Sequence, residues 1–250
     1  RRGITDLARV HLDVWAPGRL TPDEEARGAR LARALSFWRG DARTPYVRPI
    51  EGVVAVVDLD ARRVVSVEDP VDVVPVSPAS HDLDPASIGA LRGASRPLRI
   101  LQPAGPSFEL RGQEVAWQGW RFRWALHPRE GLVLYQVGYE DGGRVRAILY
   151  RGALSEIVVP YGDPDPAWSW RGAFDEGEFG LGRHTFPQAL GADVPENAAL
   201  LPAVLADDLG APEIIERAVA LYERDGGLLW RHLDEEAGHL EARRARELVV

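Results

Sequence analysis

The chain has 250 residues, 45% hydrophobic and 27% charged, a mixture that suits globular domains with a buried core. Its formal net charge of -8 argues against nucleic acid as a partner, because a phosphate backbone demands a basic face. No apolar run reaches the length of a membrane-spanning helix, and the absence of cysteine excludes disulfides, thiolate metal sites and a thiol nucleophile. Neither nucleic acid nor a membrane is therefore expected as a partner. The lack of cysteine leaves the compartment open, with the cytoplasm favoured. Methionine is absent too, so Arg1 is expected to lie inside a longer polypeptide.

Leu7 to Trp15 reads as a short helical piece or connector, and Thr21 to Trp38 as a helix. Thr21 suits an N-cap, Pro22 the first helical position, and Glu24 completes a capping box. Leu31, Leu35 and Trp38 recur at helical spacing and predict a core stripe. Val53–Leu59 and Arg63–Glu68 then form a hairpin turning at Asp60–Ala61. A helix on a short antiparallel sheet makes a small α/β domain. Pro70 to Pro106 is rich in proline and predicts a surface connection to a second domain.

The second part is strand-rich. Phe108–Leu110, Glu114–Trp117 and Arg121–Leu126 alternate, and Leu132–Tyr139 pairs with Val145–Tyr150 through Asp141–Gly142–Gly143. Such strands predict a large antiparallel sandwich, so the fold class is α+β. Trp117, Trp120 and Trp124 read as core packing. Ala198–Asp207 and Ile214–Tyr222 are ambiguous in period and read as strands.

The six histidines, His11, His81, His127, His184, His232 and His239, show no metal-ligand spacing. Gly177 to Gly182 lacks the lysine and the strand-to-helix setting of a phosphate loop, and there is no Gly-x-Ser-x-Gly elbow. An acidic segment, Phe174-Asp175-Glu176-Gly177-Glu178, remains. A carboxylate among apolar neighbours is a candidate general base; the alternative is a solvated acidic turn.

Longer strings decide between them. Arg129-Glu130-Gly131-Leu132-Val133-Leu134, Val137-Gly138-Tyr139-Glu140-Asp141-Gly142-Gly143-Arg144 and Ile148-Leu149-Tyr150-Arg151 occur in order. Leu154-Ser155-Glu156, Val158-Val159-Pro160-Tyr161-Gly162-Asp163-Pro164 and Ala173 to Gly182 follow. With Arg48-Pro49-Ile50-Glu51-Gly52 and Glu223 to His232, this pattern resembles the copper-containing primary amine oxidases across almost the whole chain.

The resemblance implies a small α/β domain over residues 1–100. It implies the N-terminal part of a catalytic β-sandwich over 105–250. Family members are homodimers that use copper and topaquinone, a cofactor made from one of their own tyrosines. They oxidise a primary amine with O2 to an aldehyde, releasing ammonia and hydrogen peroxide. The quinone serves as an electron sink, which acidifies the substrate carbon next to nitrogen. Asp175 matches the base that takes that proton, and Tyr161 the tyrosine that hydrogen-bonds the quinone oxygen. Substrate contacts are implied at Ala173, Phe174, Gly177, Glu178, Gly180 and Gly182. Ala173 replaces an aromatic gate and suggests a wider mouth. Val194 and Ala220 replace a disulfide pair.

The family's Asn-Tyr-Asp/Glu-Tyr cofactor motif is missing. The lone asparagine, Asn197, precedes Ala198, and no histidine matches a copper ligand. The motif is expected beyond Val250, so this chain would carry the base without metal or quinone and be inactive alone. Two rivals stand beside this reading. One is a non-catalytic binding or scaffold relative of the same fold. The other is a carboxylate hydrolase using Asp175 and Glu178, weakened because neighbouring acids on one turn need not straddle a bond.

Overall fold

The computed structural model describes residues 2–70, 74–78, 82, 84–165 and 167–250. The chain divides into two compact units, Arg1–Ser95 with Val159–Ala173, and Arg96–Val158 with Phe174–Val250. Among the described residues no helix is long and apolar enough to cross a membrane.

The first unit is a four-stranded antiparallel sheet in the order β1-β2-β3-β4. It comprises β1 (Val10–Trp15), helix α1 (Pro22–Arg27), β2 (Leu31–Trp38), β3 (Pro49–Asp58) and β4 (Arg63–Glu68), followed by one turn of helix, α2 (Pro85–Ile88). The capping box forms as expected: Thr21 Oγ1 accepts from Glu24 N, and Glu24 Oε2 accepts from Thr21 N. The helix itself stops early, at Gly28, which takes a left-handed conformation with φ 62°. The expected helix over Thr21–Trp38 is therefore wrong beyond Arg27, because Leu31–Trp38 is a central strand. A separation of four residues places Leu31 and Leu35 on one face of a helix and equally on one face of a strand. Leu31 to Leu35 are all buried, so the alternation that marks a half-exposed strand is lost. Leu7–Trp15 is likewise corrected, to a 3-10 turn over Leu7–Arg9 and an edge strand.

The β3–β4 hairpin lies where expected, and its turn has a local cause. Asp58 Oδ1 accepts from the amides of Asp60 and Ala61, at 3.0 and 2.8 Å. The unit's core gathers Leu35, Val54, Ala167 and Trp170. Of the Pro70–Pro106 connection, residues 71–73, 79–81 and 83, including His81, lie outside the described residues.

The second unit opens with a five-stranded meander, β5 (Glu109–Arg111), β6 (Glu114–Trp117), β7 (Trp120–His127), β8 (Gly131–Asp141) and β9 (Arg144–Gly152). Gly142 and Gly143, both at positive φ, close the β8–β9 hairpin. The short strands β10 (Val158–Pro160) and β11 (Gly172–Phe174) pair with each other and fall mostly in the first unit, and α3 (Asp175–Phe179) follows in the second as one turn. A three-stranded sheet of β12 (Ala199–Ala206), β13 (Pro212–Asp234) and β14 (His239–Val249) completes the unit. Phe108, Val115, Phe122 and Trp124 from the meander side meet Ala203, Val219 and Leu221 from the other sheet in one buried cluster. This is the expected antiparallel sandwich, and the class is α+β. Trp124 is core, Trp117 packs against it, and Trp120 sits edge-on to Tyr139.

Candidate active site

Asp175 is the first residue of α3, and the three acids of this turn have different surroundings. Successive side chains on a helix differ by about 100°, so adjacent carboxylates cannot share a surroundings. Glu176 is fully buried, and Glu178 is exposed. Asp175 is half-buried in a cleft of about 360 Å³ that it lines with Phe179, Gly180, Leu181 and His184. Phe179 and His184 meet edge to face, with ring centroids 5.8 Å apart. The cleft thus offers one carboxylate among mainly apolar walls. His184 is a wall residue that its isolated position in the sequence did not reveal.

The segment after α3 is bound to the residues before β8. Leu181 N donates to Arg129 O at 2.8 Å, and Arg183 N to Pro128 O at 2.9 Å. A Cβ at Gly182 would run into the His127 carbonyl, and one at Gly180 would lie 2.8 Å from Pro128 O. These glycines admit a close backbone approach that shapes the cleft floor. Gly177 faces the Glu156 carboxylate in the same way, its added Cβ falling 2.8 Å from Oε2. Phe174 is exposed and Ala173 is buried.

The backbone of α3 is held by a residue from the loop between β9 and β10. Glu156 Oε1 accepts from Glu176 N at 2.9 Å and from Gly177 N at 3.1 Å. Burial pushes the Glu156 carboxyl up. The amides of Gly177, Ile157 and Glu176 and the charge of Arg129 outweigh that, leaving it below its ordinary value. Leu154-Ser155-Glu156 was visible only as one string of the family pattern; its contact with α3 was not.

Tyr161 belongs to the first unit, Asp175 to the second. The Tyr161 ring meets Trp15 edge-on at 5.9 Å and lies tilted against Trp168 at 5.6 Å. Arg171 stacks 3.4 Å above Trp168. Burial holds the Arg171 guanidinium below its ordinary value, partly offset by Tyr161, Glu51 and Asp13. This cage of aromatic rings fixes Tyr161 while leaving it 43% exposed.

Three other histidines make local packing or turn contacts. His127 Nδ1 accepts from the amides of Arg129 and Glu130, His11 packs on Phe37 and Tyr46, and His232 stacks on Trp230. Among the described residues no group of three or more His, Cys, Asp or Glu could hold a metal ion.

Family models match both parts of the chain: "Copper amine oxidase, N3 domain" over residues 1–84 and "Copper amine oxidase, enzyme domain" over residues 109–250. The chain belongs to the copper amine oxidase family. It is 44% identical to a histamine oxidase of Arthrobacter globiformis, covering all of this chain and 36% of the relative. It is 40% identical to a primary amine oxidase of Arthrobacter sp. strain P1, covering all of this chain and 38% of the relative. The chain thus spans little more than a third of the length of these relatives. The crystal structure of a copper-containing benzylamine oxidase from Hansenula polymorpha superposes with TM-score 0.70 at 27% identity, covering 96% of this chain and 39% of that one.

Proposed function

We propose that this copper amine oxidase chain belongs to a polypeptide that oxidises primary amines, with Asp175 as its proton acceptor. One amine, one O2 and one water would give one aldehyde, one ammonia and one hydrogen peroxide. The observation that carries the assignment is the sorting of the acids: of Asp175, Glu176 and Glu178, Asp175 alone lines the apolar cleft. A carboxylate so placed can approach the carbon of a bound amine and take its proton, with Phe179 and Leu181 as apolar walls beside it. The Tyr161 hydroxyl would donate a hydrogen bond to the oxygen of the cofactor ring, and the rings of Trp15 and Trp168 hold it for that task.

The family implies copper and topaquinone. The described residues do not fit a copper site, because they contain no cluster of three possible donors. A homodimer is the expected assembly of the whole protein, with O2 and a small amine as its reactants.

The test uses the full-length polypeptide expressed with copper. Hydrogen peroxide is measured with histamine, methylamine and benzylamine as amines. Asp175→Asn should reduce turnover by at least about 10²-fold, the contribution typical of a positioned base. Turnover retained in Asp175→Asn would refute the assignment. Absence of turnover in the wild type with every amine would favour a non-catalytic relative.

A further inference from the structure

We infer that Glu156, backed by Arg129, is a positioning residue that sets where the Asp175 carboxylate stands. The inference rests on Asp175 being the proton acceptor. Its physical basis is the unusual capping of α3.

A helix leaves its first amides without partners, and a side chain at the N-cap normally accepts from one of them. Phe174 occupies that position and makes no side-chain cap. A one-turn helix has no further turns to hold its shape, so the contacts must come from elsewhere. They come from two consecutive residues, Glu156 and Ile157. Ile157 O accepts from Asp175 N at 3.1 Å, and Glu156 Oε1 accepts from the amides of Glu176 and Gly177. Three successive amides, starting at the base itself, are tied to one dipeptide. Glu156 Oε1 also accepts from its neighbour Ile157 N at 3.0 Å, which fixes the carboxylate against its own backbone.

Arg129 closes the arrangement from behind. Its Nη2 donates to Glu156 Oε2 and to Ser155 O, both at 3.3 Å. Its Nη1 lies 3.6 Å from Glu176 Oε1. Glu176 is fully buried, and neither carboxylate oxygen accepts a hydrogen bond among the described residues. Arg129 is the cation that this buried acid faces, so one guanidinium spans both the clamp and the residue next to the base. The Gly177 position completes the fit, since a side chain there would strike Glu156 Oε2. None of these residues lines the cleft, so they act through Asp175 and not on substrate.

Misplacing a reacting group by about 1 Å can slow a reaction by about 10²-fold. The experiment uses the full-length, copper-loaded polypeptide with Glu156→Ala, Glu156→Gln and Asp175→Asn. It reads kcat and KM per loaded active site, and the isotope effect with amine deuterated at the carbon bearing nitrogen. It also reads hydrogen exchange at the 176 and 177 amides. Glu156→Ala should lower kcat by about 10- to 100-fold with KM little changed. Its isotope effect should persist or grow, and both amides should lose protection. Glu156→Gln should recover part of kcat, since its amide oxygen still accepts from the Glu176 and Gly177 amides while its NH2 loses the bond from Arg129.

Wild-type kcat in Glu156→Ala, with Asp175→Asn inactive, overturns this inference and leaves the base assignment standing. An active Asp175→Asn overturns both. A Gln variant as slow as the Ala variant overturns the clamp as a hydrogen-bond device. If Glu156→Ala does not accumulate as folded protein, Glu156→Asp keeps the charge on a stem too short to span both amides. It should lower kcat, and unchanged kcat overturns the inference.

Discussion

Replacing Glu223 by glutamine is a stringent test of how the second unit is held together. Glu223 lies in β13 and is fully buried. Its Oε2 accepts from Ser107 N at 2.7 Å and Gln102 Nε2 at 2.6 Å, and its Oε1 from Trp117 Nε1 at 3.0 Å. Arg246 Nη1 lies 3.8 Å from the same Oε1. These partners tie the connection before β5, strand β6 and strand β14 to one carboxylate. Glu223→Gln preserves shape but turns one acceptor into a donor. With the amide oxygen kept towards Ser107 and Gln102, the new NH2 faces the Trp117 N–H, and neither donor has an acceptor. A buried donor without a partner costs about 1–3 kcal/mol, and losing the charged acceptor adds about 1 kcal/mol. The expected destabilisation is about 2–4 kcal/mol by urea denaturation followed by circular dichroism. Trp117→Phe removes the conflicting donor, so in that background the glutamine replacement should cost about 1 kcal/mol or more less. A loss below about 0.5 kcal/mol, or a double-mutant cycle without coupling, would refute the reasoning. The pH dependence has a definite sign. Burial pushes the Glu223 carboxyl up, but the Ser107 amide, Gln102 and Trp117 outweigh it, so its folded pKa lies below the ordinary 4.5. Its contribution is present above pH 4.5 and is lost as pH falls through the folded value. Wild-type stability should therefore fall more steeply than that of Glu223→Gln in this acid range.

Two further outcomes follow from the packing. Leu221→Ala empties a fully buried position in the cluster shared by the two sheets, and should destabilise by about 2–5 kcal/mol in the same denaturation assay. Gly182→Ala places a methyl against the His127 carbonyl, so the 180–184 segment must move. It should lower stability by about 1–3 kcal/mol, and hydrogen exchange should show lost protection at the Leu181 and Arg183 amides. An unchanged exchange pattern would contradict the assigned role of that glycine.

What the sequence determined on its own is what local chemistry encodes. The β8–β9 hairpin was legible because Gly142–Gly143 supplies the two positive φ angles that a tight turn needs. The β3–β4 hairpin was legible from its β-branched runs, and the capping box from the spacing of Thr21 and Glu24. Family membership was legible because many short strings stand in one order along the chain. Tertiary structure decided the rest. Leu31–Trp38 became a strand because it is the central partner of β1 and β3, and burial on both faces erased its alternation. Asp175 was separated from the buried Glu176 by rotation along a single helical turn and from Glu178 by that residue's exposure, which no composition reveals. The residues that hold it, Glu156 and Arg129, stand 19 or more positions away; Glu156 acts through backbone amides whose direction exists only once the loop and α3 have packed, and Arg129 holds Glu156. Amide donors carry no side-chain signature, so a clamp built on them is invisible until the chain is folded.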